Sequence, residues 1–371
     1  MQARVKDVVN MIEGYFPLHL AESWDNPGLQ IGSCNRPVER VLISLDLDLE
    51  ILEKALLERA DLIITHHPLF FKPMKSINFD MPEGALIKGL IRSDISVYSA
   101  HTNLDAGELG LSQVLAERLE LQEITPLDNY KREDLLKIVA FVPLPQEEAV
   151  RSAMSKAGAG HIGKYSDCSF STRGQGTFLP GEDTRPFIGE KGRLEEVEEF
   201  RLEMVLYKKD LQNVVEALKK AHPYEEAAYD IYHLENEYKL FSMGRKGRLK
   251  APLKLKDLAG LVKQVLQLDG IKVAGDMDTE IKNAAVVSGA GTSLIASVLK
   301  QNIDVLVTGD VKYHEAKEAA SMGLSVIDAG HQGTEQIVSS HLCNLLSADS
   351  QNKGFKINFI PGYSSNLFHF L

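Results

Sequence analysis

Apolar residues recur along this chain with two periods, and the alternation between them outlines its architecture. Val5, Val8, Val9 and Ile12 lie at helical spacing near the N-terminus, and Gly14 and Pro17 close the helix they predict. Short apolar runs at 41–45, 62–65 and 96–100 predict strands. Helix-spaced segments at 49–58 and 84–93 separate them, and a further helix is expected over 111–119. Strands alternating with helices in this order predict an α/β fold with parallel or mixed strands.

The style changes near 128. A strand at 137–143, a helix at 146–157 closed by Gly158, and Gly and polar alternation over 160–181 come first. A strand at 201–207, a helix at 211–221 and a strand at 227–233 follow. Strand, helix, strand, twice over, is the ferredoxin-like pattern. The acidic stretch from Glu195 to Glu199 reads as a solvated turn or strand lead-in. From about 236 the first style returns, with a helix at 256–268, strands at 284–287, 305–308 and 325–328, and a helix at 335–346. The expected organisation is one α/β core, built from 1–127 and 236–371 and interrupted by a ferredoxin-like α+β insert at 128–235.

The two flanks also resemble each other. Asp61-Leu62-Ile63-Ile64-Thr65 leads into His66-His67, and Asp304-Val305-Leu306-Val307-Thr308 leads into Gly309-Asp310. A helix precedes each run and a second strand follows it. Each second strand leads to a histidine with a carboxylate four residues on, His101 with Asp105 and His331 with Glu335. Residues four apart share a face of a helical turn, so each pair can converge on one point. Two pseudo-symmetric halves facing each other would form a cleft.

Imidazoles and carboxylates at strand ends suit divalent transition metals. His66, His67, His101, Asp105, His331 and Glu335 are more groups than one ion usually takes, so two ions are expected. The plainer readings are a surface histidine, or Asp105 as a helix N-cap with Glu108 as its capping-box partner. His101 is either a ligand or a group that orients one. Asp46 and Asp310 are each a cap, a partner of a ligand or a base. Ser288-Gly289-Ala290-Gly291 is a tight turn or an anion seat. Trp24, Asp25 and Asn26 are candidates for the substrate side, Trp24 equally for packed core.

Composition narrows the function classes. The 371 residues suffice for two or three domains. A net charge of −11 opposes broad binding to nucleic acid. Cys34, Cys168 and Cys343 lie far apart with no paired spacing, which indicates neither disulfides nor a thiolate metal site and fits a reducing cytoplasm. No apolar run approaches a membrane span.

Taken together, Glu22 to Gly32 with its Trp24-Asp25-Asn26, Thr65-His66-His67-Pro68, His101 to Asp105, Ser288 to Gly291, Thr308 to Asp310 and Gly330 to Glu335 resemble the Nif-three-like family of dinuclear metal proteins, labelled type-2 GTP cyclohydrolase I homologues. The middle segment resembles the insert of longer bacterial members, which is similar to the CutA and PII-type fold. His222-Pro223-Tyr224-Glu225-Glu226 is similar to the CutA motif. The resemblance implies His66, His67, Asp105, His331 and Glu335 as ligands of two divalent ions (zinc, iron or manganese), with His101 close by. It further implies a homohexamer, a trimer of dimers. A metal-dependent hydrolase acting on a small molecule through a metal-bridged hydroxide would follow, with purine ring opening as one case. The other reading is a metal-holding scaffold or regulator without turnover.

Overall fold

Three short strands of the first half, Arg40–Ser44, Leu62–Thr65 and Ser96–Ser99, run parallel, and every side chain beyond Arg40 is buried. Burial on both faces is why these segments read as continuous apolar runs. Asn358–Pro361 extends this sheet in parallel on one edge, and Gly28–Ile31 extends it antiparallel on the other. The second half repeats the arrangement with a parallel trio, Glu280–Ala290, Val305–Gly309 and Ser325–Asp328. Lys272–Ala274, Gly244–Lys254 and Gln122–Pro126 complete that sheet as antiparallel neighbours.

Side chains alternate across a strand, and the alternation builds the layers. Leu62, Ile64, Val305, Val307 and Ile327 all enter one core, shared with helices Val5–Tyr15, Leu111–Arg118, Leu255–Val265 and Val338–Asn352. Leu42, Ile63 and Val97 face the other way, onto helices Leu49–Leu57 and Pro82–Arg92. Leu306 and Val326 do the same in the second half, toward Ile295–Leu299 and Tyr313–Ser321. Each fully buried Leu or Ile contributes about 1.5–3 kcal/mol. The result is a mixed α/β structure of two similar halves around shared inner helices.

This computed structural model describes residues 2–236, 239–363 and 365–369. The chain forms two compact units, Met1–Lys131 with Phe241–Leu371, and Arg132–Leu240. In the second unit one antiparallel sheet holds Phe170–Phe178, Glu195–Tyr207, Leu135–Pro143 and Tyr229–His233, in that order. Leu136, Ile138, Leu202 and Met204 pack one face against Glu147–Lys156 and Leu211–Ala221.

Several elements differ from expectation for physical reasons. The acidic stretch 195–199 is strand, with Glu196 and Glu198 exposed, Glu195 half-buried and Glu199 buried. The helix expected at 335–346 is two, His331–Glu335 and Val338–Asn352. Gln122–Pro126 and Gly244–Lys254 carry polar residues and no apolar run, so hydropathy passed over them. Among the described residues, no helix is long and apolar enough to cross a membrane.

Arg245 ties the halves of the larger unit together. It is 4% exposed and donates to the carbonyls of Gly107, Ser242 and Gly244 and to Gln113 Oε1. Gly107 ends the short helix Thr102–Ala106 that carries Asp105. Arg245→Ala is expected to lower the unfolding free energy by about 3 kcal/mol in urea titrations, because buried carbonyls lose their donor. Arg245→Lys should recover only part, since an ammonium lacks the guanidinium fork.

Candidate metal centre

The parallel trios of strands end at a common place, and six side chains meet there, as expected at the carboxyl ends of parallel strands. His66 and His67 follow Leu62–Thr65, and His101 follows Ser96–Ser99 by two residues. Asp105 lies within helix Thr102–Ala106, so it does not cap the following helix, Leu111–Arg118, whose N-cap is Gly110. His331 and Glu335 begin and end one short helix, entered through Gly330 at φ +77°.

Every histidine of the group is anchored through Nδ1. His66 donates to the Ala100 carbonyl at 2.8 Å, His67 to Asp46 at 2.7 Å, His101 to Asp25 at 2.8 Å and His331 to Asp310 at 2.7 Å. The anchoring fixes each ring and leaves Nε2 for other use. Glu335 Oε2 lies 3.1 Å from Nε2 of both His67 and His331, and its Oε1 lies 3.8 Å from Nε2 of His66. Asp105 Oδ2 is 3.5 Å from the same His66 atom. The rings of His66 and His101 are 5.1 Å apart, and those of His67 and His101 5.5 Å.

His66 Nε2 is the test of whether a cation fits. It is buried and has no hydrogen-bond partner, although two carboxylates approach it. Its Nδ1 carries the proton donated to Ala100, so a neutral ring turns a lone pair toward those carboxylates. That arrangement is repulsive in a dry site, and a cation between the groups makes it attractive. Donor atoms 3 to 4 Å apart are what bonds of about 2 Å to a common ion produce. Donor groups close enough to hold an ion form three overlapping sets: His66, His67 and His101; His67, His331 and Glu335; and His66, Asp105 and Glu335.

Without a cation the protons redistribute. Burial disfavours charged His67, but hydrogen bonds to Asp46 and Glu335 outweigh it and hold its pKa at about 10. The Glu335 hydrogen bond lifts His331 to about 9 against its burial, with help from Asp310. Burial would raise Glu335, yet hydrogen bonds from His331 and His67, with the charge of the nearby His66, hold it well below the usual range. Burial keeps Asp105 raised, with His66 only partly offsetting it. For Asp25 burial is overcome by His101 and Thr102, and its pKa falls to about 2.

Two glycines make the room. A Cβ on Gly289, at φ +60°, would sit 2.3 Å from Glu335 Oε1. The segment 288–291 is thus packed against Glu335, and Thr334 Oγ1 accepts from the Gly289 amide. A Cβ on Gly309 would lie 2.6 Å from Gly330 C and His331 N, which explains why the second half has glycine where the first has His66.

Beside the centre stands an aromatic ledge. Trp24 is 55% exposed, so it is not core, and its ring lies 5.6 Å from Phe71 and 6.0 Å from His101. Asn26 Nδ2 donates to the Phe70 carbonyl and ties the two segments together. Asp25 turns inward instead, receiving hydrogen bonds from His101 and from both the amide and hydroxyl of Thr102. Phe71 escaped the sequence reading. Its only signal was an aromatic pair just after Thr65-His66-His67-Pro68.

Two predictions follow from this geometry. His67 and His331 have folded pKa values above the ordinary 6.5, so in metal-free protein they stabilise the fold fully below pH 6.5 and lose that contribution as pH passes 9 and 10. A cation needs neutral imidazoles, so metal binding releases protons and reverses the trend. Urea midpoints of chelated and metal-loaded protein should diverge from pH 6.5 to 10, and a chelated midpoint rising over that range would contradict the assignment. Gly289→Ala is expected to displace Glu335 and cut metal content at least tenfold at limiting metal, measured by elemental analysis, with about 1–2 kcal/mol lost from the left-handed backbone.

The chain is 41% identical over 367 residues to a Bacillus subtilis protein named GTP cyclohydrolase 1 type 2 homolog, covering 99% of this chain and 98% of that one. A Halalkalibacterium halodurans protein of the same name is 41% identical over 329 residues, covering 89% and 88%. The crystal structure of a Bacillus cereus protein related to NIF3 superposes with a TM-score of 0.92 at 37% identity, covering 100% of both chains. A Staphylococcus aureus protein gives 0.80 at 26% identity, covering 100% of this chain and 99% of that one. Residues 3–365 match the Duf34/NIF3 (NGG1p interacting factor 3) family, and the chain belongs to it.

Proposed function

We propose that the chain is a metal-dependent hydrolase of a small planar substrate, with two divalent ions held between the halves of its larger unit. The observation that carries this reading is that two of the three overlapping donor sets share Glu335, one with His66 and Asp105 and the other with His67 and His331. Three protein groups per ion leave a position free in a four-coordinate site, the mark of a catalytic ion. Zinc, iron and manganese all suit this donor set. Bound there, the ions would supply a water of lowered pKa and a Lewis acid for a carbonyl or ring nitrogen.

The chain's own groups account for the rest. Asp46, Asp25 and Asp310 hold His67, His101 and His331 in one tautomer each, so the ring nitrogens need no rearrangement before use. His101 faces both His66 and the ledge, where it can complete a ligand set or hold a proton at the substrate. Trp24 and Phe71 offer stacking faces to a flat ring. A purine fits that ledge, and the relatives' name supports ring opening of the GTP cyclohydrolase kind. The strand order of Arg132–Leu240 supports reading it as the ferredoxin-like insert. A homohexamer, a trimer of dimers, belongs to the same proposal.

Elemental analysis of the purified protein should find two ions per chain, falling sharply in His66→Ala and Glu335→Ala. GTP turnover with formate release should stop on chelation and return with metal. Unchanged metal content in both variants would overturn the site. Two ions without turnover on GTP would remove the cyclohydrolase assignment and favour the scaffold reading.

A further inference from the structure

The sheet in Arg132–Leu240 has two unlike faces. Helices cover one. The other, which carries Phe141, Glu199 and Arg201, borders a cavity of about 780 Å³, within the range of small-molecule sites. Glu199 lies in its lining and is 8% exposed. Arg201, next on the same face, pairs with Glu203 instead. Among the described residues Glu199 makes no ion pair, and the Tyr224 hydroxyl faces it as a neutral donor, so further donors would stabilise it.

The surroundings are shaped to admit them. Gly174 stands opposite Glu199 in the sheet register, and a Cβ there would meet nothing within 4 Å. At Gly176 a Cβ would come 2.3 Å from Glu199 Oε2. Gly176 therefore seats the carboxylate against the strand, and Gly174 leaves open space beside it. Three rings form the walls, with Tyr224 5.7 Å from Phe178 and 6.4 Å from Phe187. His222 positions Tyr224 from behind, donating through Nε2 to the Phe141 carbonyl and accepting the Tyr224 amide at Nδ1. The Tyr224 hydroxyl is buried with no partner in bonding geometry. Burial and the Glu199 carboxylate push its pKa up, so it stays protonated with its donor facing Glu199.

A carboxylate only accepts hydrogen bonds, and aromatic faces favour flat or cationic groups. We propose that this cavity binds a small flat ring presenting paired N–H donors to Glu199, a chemistry shared by the guanine edge and by an aryl amidinium. The ring stacks among Phe178, Phe187 and Tyr224 while its donor edge meets the carboxylate. The site is separate from the metal centre and does not depend on its assignment.

Calorimetric titration of the full chain with guanosine, and separately with benzamidine, tests it. One probe should bind once per chain, guanosine identifying a purine site and benzamidine an amidinium site. Glu199→Gln keeps the shape and should weaken binding at least about tenfold. Gly174→Leu should fill the cavity and abolish binding. Metal content, circular dichroism and particle size should stay unchanged in both variants. Binding of neither probe at millimolar concentration, as when a second copy fills the cavity, overturns the proposal. So does binding undiminished in either variant.

Discussion

A single buried carboxylate organises the larger unit. Glu335 is 3% exposed, and an ionised carboxylate so placed survives only with compensating positive partners. Three imidazoles supply them, two from the first half and one from its own helix. Meeting that demand requires two sheets to end at the same place, a turn at Gly330, and an absent side chain at Gly289. The centre therefore joins the halves, and its arrangement reaches the core through the strands that feed it.

Those strands are suited to the task because they are buried on both faces. Leu62 and Ile64 pack inward while Ile63 packs outward, so Leu62–Thr65 has little freedom to slide, since a one-residue slip would exchange its two cores. Thr65 extends this order into the loop, meeting Ser99 at 2.9 Å and donating to the His67 carbonyl. Thr308 plays the same part in the second half, accepting from the Gly291 amide and donating to the Gly289 carbonyl. Hydrophobic burial thus sets the register, and hydroxyls carry it to the site.

Much of this was legible in the sequence because it is local. The apolar runs are the buried strands, and the four-residue spacings of His101 with Asp105 and His331 with Glu335 lie on short helical segments. What was not legible depends on distant partners. Asp46 and Asp310 read equally as caps, bases or partners of a ligand until the structure placed them on His67 and His331. Asp25 looked like a substrate contact beside Trp24, and its partners lie 76 and 77 residues away. Gly244–Lys254 carries almost no hydropathic signal, since its place is set by Arg245 and by pairing on both sides.

The two halves are similar but cannot be identical, and the difference explains the donor set. In the second half the Gly330–His331 backbone crosses so close to residue 309 that a Cβ there would overlap it. A histidine at that position is incompatible with His331 where it stands. The first half lacks this crossing, so Thr65 is followed by two histidines rather than by glycine and aspartate. The acids differ in the complementary sense. Asp105 meets His66 and Ser288, whereas the longer Glu335 reaches His66, His67 and His331. One extra methylene lets the half with fewer imidazoles contribute the group that two of the donor sets share.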